Sequence, residues 1–129
     1  MKYHLESEQP RTAVLVAGGN DIPNKDLTMN MIEKIANHMI EAGVQCKEEF
    51  GVTNVMISSV LPRSDSRYQG NRHWLNGVLR KRCSANGLHF IENDDIVLRQ
   101  HGHHDGIHLN RAGSDVLSRN LLFAINNVD

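Results

Sequence analysis

Histidine is the side chain whose ordinary titration lies nearest neutral pH, and a carboxylate beside it decides which ring nitrogen carries the proton. Four of the chain's eight histidines fall within eight residues, in the run His101-Gly102-His103-His104-Asp105-Gly106-Ile107-His108. Two chemistries fit this run. His108 can take a proton as a general base while Asp105 holds its other ring nitrogen. Histidine and aspartate are also zinc ligands, so a metal site is the second. The third reading is a solvated polar loop that happens to be rich in histidine. A separate cluster, Gly18-Gly19-Asn20-Asp21, stands near the start. Its glycines let backbone come close to a ligand, and the Asn20 amide can donate to a developing oxyanion. The same residues also suit an ordinary strand-ending turn. Arg63, Arg67 and Arg72 offer anion recognition or simply a solvated face.

The elements that must position these groups are legible in the hydrophobic pattern. Residues 1–11 are polar and read as a loose lead-in. Thr12 to Ala17 is a short, continuously apolar run, as expected for a strand covered on both faces. After a loop broken by Pro23, Asp26 reads as a helix N-cap. Leu27, Met31, Ile32, Ile35, Met39 and Ile40 then share one helical face. Gly43 either ends or weakens that helix, and Gly51 is the firmer stop. Val52 to Val60 is rich in β-branched residues and reads as a second strand, closed by Leu61-Pro62-Arg63. Ser64 to Gly70 reads as a polar loop. Trp74, Leu75, Val78, Leu79, Arg82 and Cys83 form an amphipathic helix that stops near Asn86-Gly87. Leu88 to Ile91 is a third strand. Glu92 to Leu109 reads as a loop far longer than the usual ~4–6 residues, a length that itself hints at function. Asn110 caps a last helix carrying Ala112, Val116, Leu117, Leu121, Leu122 and Ile125. Strands alternating with helices predict an α/β fold on a parallel sheet. Ligands gather at the C-terminal strand ends of such sheets, where both clusters fall.

Composition narrows the partners. At 129 residues the chain has room for one domain. Charges nearly cancel, 14 basic against 15 acidic, so no general attraction to nucleic acid or anionic membrane is expected. No apolar run is longer than that at Ala13 to Ala17, far short of the ~20 residues of a membrane span. The opening residues Met1 to Glu6 contain no apolar core of a secretory leader, so a cytoplasmic location is the default expectation. Cys46 and Cys83 have the spacing of neither a disulfide framework nor a zinc motif and read as free thiols.

Taken together, the motifs resemble those of the SGNH (GDSL-type) hydrolases. Gly18-Gly19-Asn20-Asp21 is similar to the family's third block. Asp105-Gly106-Ile107-His108-Leu109-Asn110, followed by Ala112-Gly113, is similar to its fifth, and Val60-Leu61-Pro62-Arg63 to the end of its next-to-last strand. The resemblance runs over about residues 12–125, with the motifs in family order. It implies a three-layer α/β/α fold with a flavodoxin-like parallel sheet. It implies hydrolysis of a small ester or acylated substrate through an acyl-enzyme, without cofactor or metal. In that pattern His108 is the general base, Asp105 orients it, and Asn20 donates into the oxyanion hole. Gly18, Gly19 and Asp21 flank Asn20 at the substrate. His101, His103 and His104 have no role in the pattern and are expected to be solvated.

Two parts of the pattern have no counterpart. The family's nucleophile stands in Gly-Asp-Ser after the first strand, and none of the eight serines occupies such a place. The glycine of the second block is also missing. By this resemblance the chain lacks the family's first two strands, and the strand at Thr12 to Ala17 would expose an apolar edge. A second chain or a missing N-terminal segment is then expected to cover that edge. A chain of this kind is either a hydrolase portion whose serine lies elsewhere or a pseudoenzyme that binds without turnover.

Overall fold

The computed structural model of the chain describes residues 12–16, 28–63, 66–103, 105 and 108–127. The order is β1 (Thr12–Leu15), α1 (Met29–Phe50), β2 (Asn54–Ser58), α2 (Ser66–Ala85), β3 (His89–Ile91), α3 (Leu98–His101) and α4 (Arg111–Asn126). The strands form one parallel sheet in the order β1-β2-β3. Ala13 lies beside Val55, Leu15 beside Ile57, and Ile57 beside Phe90.

Alternation along the strands sorts side chains to two faces. Val55 and Ile57 are fully buried in one core with Ile32, Ala36, Met39 and Ile40 of α1 and Leu75, Leu79 and Cys83 of α2. Ala13, Leu15 and Phe90, their register partners, pack against the same core. Met56 and Ser58 must point the other way, and both are buried as well. There Ser58 meets Asn93, and Asn93 meets Asn120 of α4. The fold is therefore α/β/α, with α1 and α2 on one face of the sheet and α4 on the other.

Local chemistry sets the helix ends. Thr28 caps α1, its side chain accepting from the Met31 amide at 3.3 Å. Asp26, the cap expected from sequence, lies outside the described residues. Gly51 ends α1 at φ 67° and Gly87 follows α2 at φ 69°, a left-handed conformation that only glycine adopts without strain. Gly43 does not end the helix. A Cβ there would come within 2.9 Å of Leu88 Cδ1 and 3.5 Å of Val55 Cγ1, so this glycine lets α1 approach the sheet. Arg82 of α2 ties the two helices together through Glu33 and Asn37 of α1.

Several expected boundaries shift. The strands are shorter, because pairing covers only Thr12–Leu15 and Asn54–Ser58. β1 is half-buried rather than covered on both faces, and Val16 beyond it is 50% exposed. Among the described residues β1 pairs only with β2, so it forms one edge of the sheet. The helix carrying Trp74 begins at Ser66, inside the segment expected to be a loop. The long loop after β3 is also not structureless, since it contains α3.

Candidate functional site

The histidine-bearing segment leaves the C-terminal end of β3 and is anchored at once. The backbone amide of Asn93 donates to Ser59 Oγ at 3.0 Å, and its Nδ2 lies 2.8 Å from Ser58 Oγ and 3.0 Å from Ser59 Oγ. Asn120 of α4 donates to Asn93 Oδ1 at 3.1 Å and to Asp95 Oδ1 at 2.8 Å. Asn76 of α2 holds the next stretch of rim by accepting from the Val60 amide at 2.8 Å and donating to the Val60 carbonyl at 3.2 Å. Buried polar groups so paired fix geometry, because an unpaired one would be costly. These asparagines and serines carry no periodic sequence signal, which is why sequence reading missed them.

Beyond the anchor, α3 makes a single turn. His101 is not simply solvated. Its Nδ1 accepts from the Val97 amide at 3.0 Å, satisfying a donor that the start of a helix leaves open. An antiparallel bridge then joins Gly102 to Leu109, and the His103 amide donates to the His108 carbonyl at 2.8 Å. The bridge closes a short hairpin, and Asp105 and His108 lie within it.

Asp105 and His108 are brought together. Asp105 Oδ1 accepts from the His108 backbone amide at 2.9 Å, and Oδ2 lies 2.6 Å from His108 Nδ1. A carboxylate at that position only accepts, so in the neutral ring Nδ1 carries the proton and Nε2 the lone pair. The His108 side chain is 76% exposed, against 34% for Asp105. The carboxylate is thus half-sheltered behind an accessible ring, an arrangement suited to proton transfer at Nε2. His103 approaches the same carboxylate, with Nδ1 3.6 Å from Oδ2. It also accepts from the Asp105 amide at 3.4 Å. His104 lies outside the described residues. So do Gly18, Gly19, Asn20 and Asp21, and with them the expected oxyanion donor and substrate contacts.

Other candidates resolve differently. Among the described residues, no group of three or more His, Cys, Asp or Glu side chains is arranged to hold a metal ion. Arg72 donates to the Val60 carbonyl at 3.2 Å, a structural contact. A cavity of about 620 Å³ opens beside α2, lined by Glu33, Arg72, Trp74, Arg80, Arg82 and Asp94 among others. Neither Asp105 nor His108 borders it, and Arg80 and Arg82 are engaged by Glu92 and Glu33. Burial pushes the Cys83 thiol up to about 11, so at neutral pH it is not a nucleophile. No helix among the described residues is long and apolar enough to cross a membrane.

Neither a family model nor a curated protein matches the sequence. A solved structure from Streptococcus pneumonia, described as "a putative platelet activating factor", matches the fold with a TM-score of 0.71 at 22% identity. The match covers 88% of this chain and 58% of that one, so the chain spans a little over half of the neighbour's length. At this identity the likeness establishes a shared α/β fold, and a fold alone does not specify chemistry.

Proposed function

We propose that this chain is a single SGNH-like domain, the part of a GDSL-type hydrolase that supplies the base and its orienting acid for hydrolysis of a small ester or acylated molecule. The observation that carries this reading is the 2.6 Å contact between Asp105 Oδ2 and His108 Nδ1, with the ring left accessible to solvent. In the proposed reaction His108 Nε2 takes the proton of the attacking hydroxyl and returns it to the leaving group. Asp105 keeps the ring in the Nδ1–H tautomer and stabilises the imidazolium. Asn20 donates to the oxyanion, flanked by Gly18, Gly19 and Asp21. The nucleophilic serine comes from a segment or chain outside this sequence. Without it turnover falls by on the order of 10⁶, so the chain alone is expected to be inactive or very weak.

The sequence feature that favours a second reading is the absence of Gly-Asp-Ser. On that reading the chain is a pseudoenzyme that binds an acylated ligand at the same rim without hydrolysing it.

One experiment separates them. A fluorophosphonate probe is applied to this chain and to a form extended through the upstream coding sequence, and p-nitrophenyl ester hydrolysis is followed in both. The hydrolase reading expects no labelling of the chain alone. It expects labelling and turnover in the extended form, with turnover lost in His108→Ala. Labelling of the chain alone refutes the external serine. Ligand binding by an extended form without labelling or turnover selects the pseudoenzyme.

A further inference from the structure

The end of α3 presents three successive backbone carbonyls, those of Gln100, His101 and Gly102. A helix terminus leaves such carbonyls without intrahelical partners. One residue meets all three. Asn110 Nδ2 donates to the Gln100 carbonyl at 3.0 Å and to the Gly102 carbonyl at 3.3 Å, and its backbone amide donates to the His101 carbonyl at 2.8 Å. The same side chain faces the other way as well. Asn110 Oδ1 accepts from the Gly113 amide at 2.8 Å, capping α4. Every polar atom of this amide is engaged, its two donors toward α3 and its acceptor toward α4. The residues it joins, 102 and 110, bracket the hairpin that holds Asp105 and His108.

We propose that Asn110 is the positioning residue of the Asp105–His108 pair. By tying the end of α3 to the start of α4, it closes the mouth of the hairpin and sets the register in which carboxylate and imidazole meet. The functional meaning of this role rests on the reading of His108 as a general base, but the geometric role does not. A helix cap alone needs only an acceptor, and aspartate or serine supplies one. The donors to Gln100 and Gly102 are what the positioning role needs, and aspartate has no side-chain donor to offer.

The test uses the whole chain and compares Asn110→Asp and Asn110→Ser with the parent. Nitrogen-15 spectra of the imidazole, recorded where His108 is neutral, report the tautomer. Amide exchange across residues 114–120 reports whether α4 is intact. Asp105→Asn is the control that removes the carboxylate acceptor. The parent is expected to hold His108 as Nδ1–H. In both variants that form falls from the dominant to the minor population while the α4 amides stay protected. Retention of Nδ1–H in either variant overturns the proposal. So does a parent chain in which Nδ1–H is already minor. Loss of α4 protection together with the tautomer in both variants also overturns it, because Asn110 would then be a helix cap and nothing more. None of these readouts requires ester hydrolysis, so failure of the hydrolase reading leaves the result distinct.

Discussion

Cys83 on α2 is 1% exposed, and burial alone raises its thiol pKa to about 11. In the unfolded chain a thiol titrates near ~8.5. Folding thus disfavours the thiolate. The associated stability is fully present below the unfolded value and is lost as pH rises toward about 11. Unfolding free energies from urea titrations are expected to fall over that range by an amount on the order of 3 kcal/mol, with a shallower fall in Cys83→Ala. Ellman's reagent is expected to react first with half-buried Cys46. Glu92 behaves in the opposite sense. The two hydrogen bonds from Arg80, at 2.7 and 2.6 Å, hold its carboxyl below the ordinary carboxylate range. Its contribution is present above pH ~4.3 and disappears as pH falls through the folded value. The pair is exposed, so Glu92→Gln is expected to cost less than about 1 kcal/mol at pH 7 and to flatten the acid limb of a stability profile.

At the scale of elements, two glycines within helices make contrasting predictions. A Cβ at Gly113 of α4 would stand 2.5 Å from the His101 carbonyl oxygen and 2.8 Å from His101 Cβ. Backbone cannot swing aside there. Gly113→Ala is expected to destabilise by about 1–3 kcal/mol despite the gain in helix propensity, and to loosen the amides of His103 and Asn110 in hydrogen exchange. At Gly43 the close neighbour is the tip of Leu88, which can turn, so Gly43→Ala is expected to lie within about 1 kcal/mol of neutral in thermal unfolding. These sites also mark how far sequence reaches. Gly51, Gly87 and Asn110 were readable because a stop or a cap is a local signal. Gly43 was ambiguous because its reason is tertiary, a contact with β2 and the segment before β3. The first turns of α2 have no apolar periodicity, so Ser66 to Gly70 read as loop. α3 is one turn long and owes its ends to His101 and Asn110 rather than to its own pattern. The Asp105–His108 contact was legible because it spans three residues, whereas Asn93 finds Ser58 and Asn120 only through the fold.

Across the whole molecule, Asn93 is where three parts converge: the end of β2, the histidine segment and α4. Asn93→Ala would leave the buried Ser58 hydroxyl only its 3.5 Å contact with the Ser59 carbonyl, and would leave Asn120 held by Asp95 alone. A loss on the order of 2–3 kcal/mol is expected. A double-mutant cycle with Asn120→Ala should give a coupling of about 0.5 kcal/mol or more, and additivity would show that the two act separately. The α4 face of the molecule is less completely packed than the other. Gly113 is the one buried residue of α4, and Leu122 and Phe123 are 58% and 69% exposed.

Asp105 and His108 meet over one short stretch of backbone, with both carboxylate oxygens bonded to the same histidine. Their mutual alignment therefore depends on ties close by, the Asn110 clasp among them, and not on remote parts of the polypeptide. Lengthening a distant loop, splitting the chain ahead of β1 or moving its ends would leave the acid and base in step. Any such change would be felt only in how a third group arrives beside them.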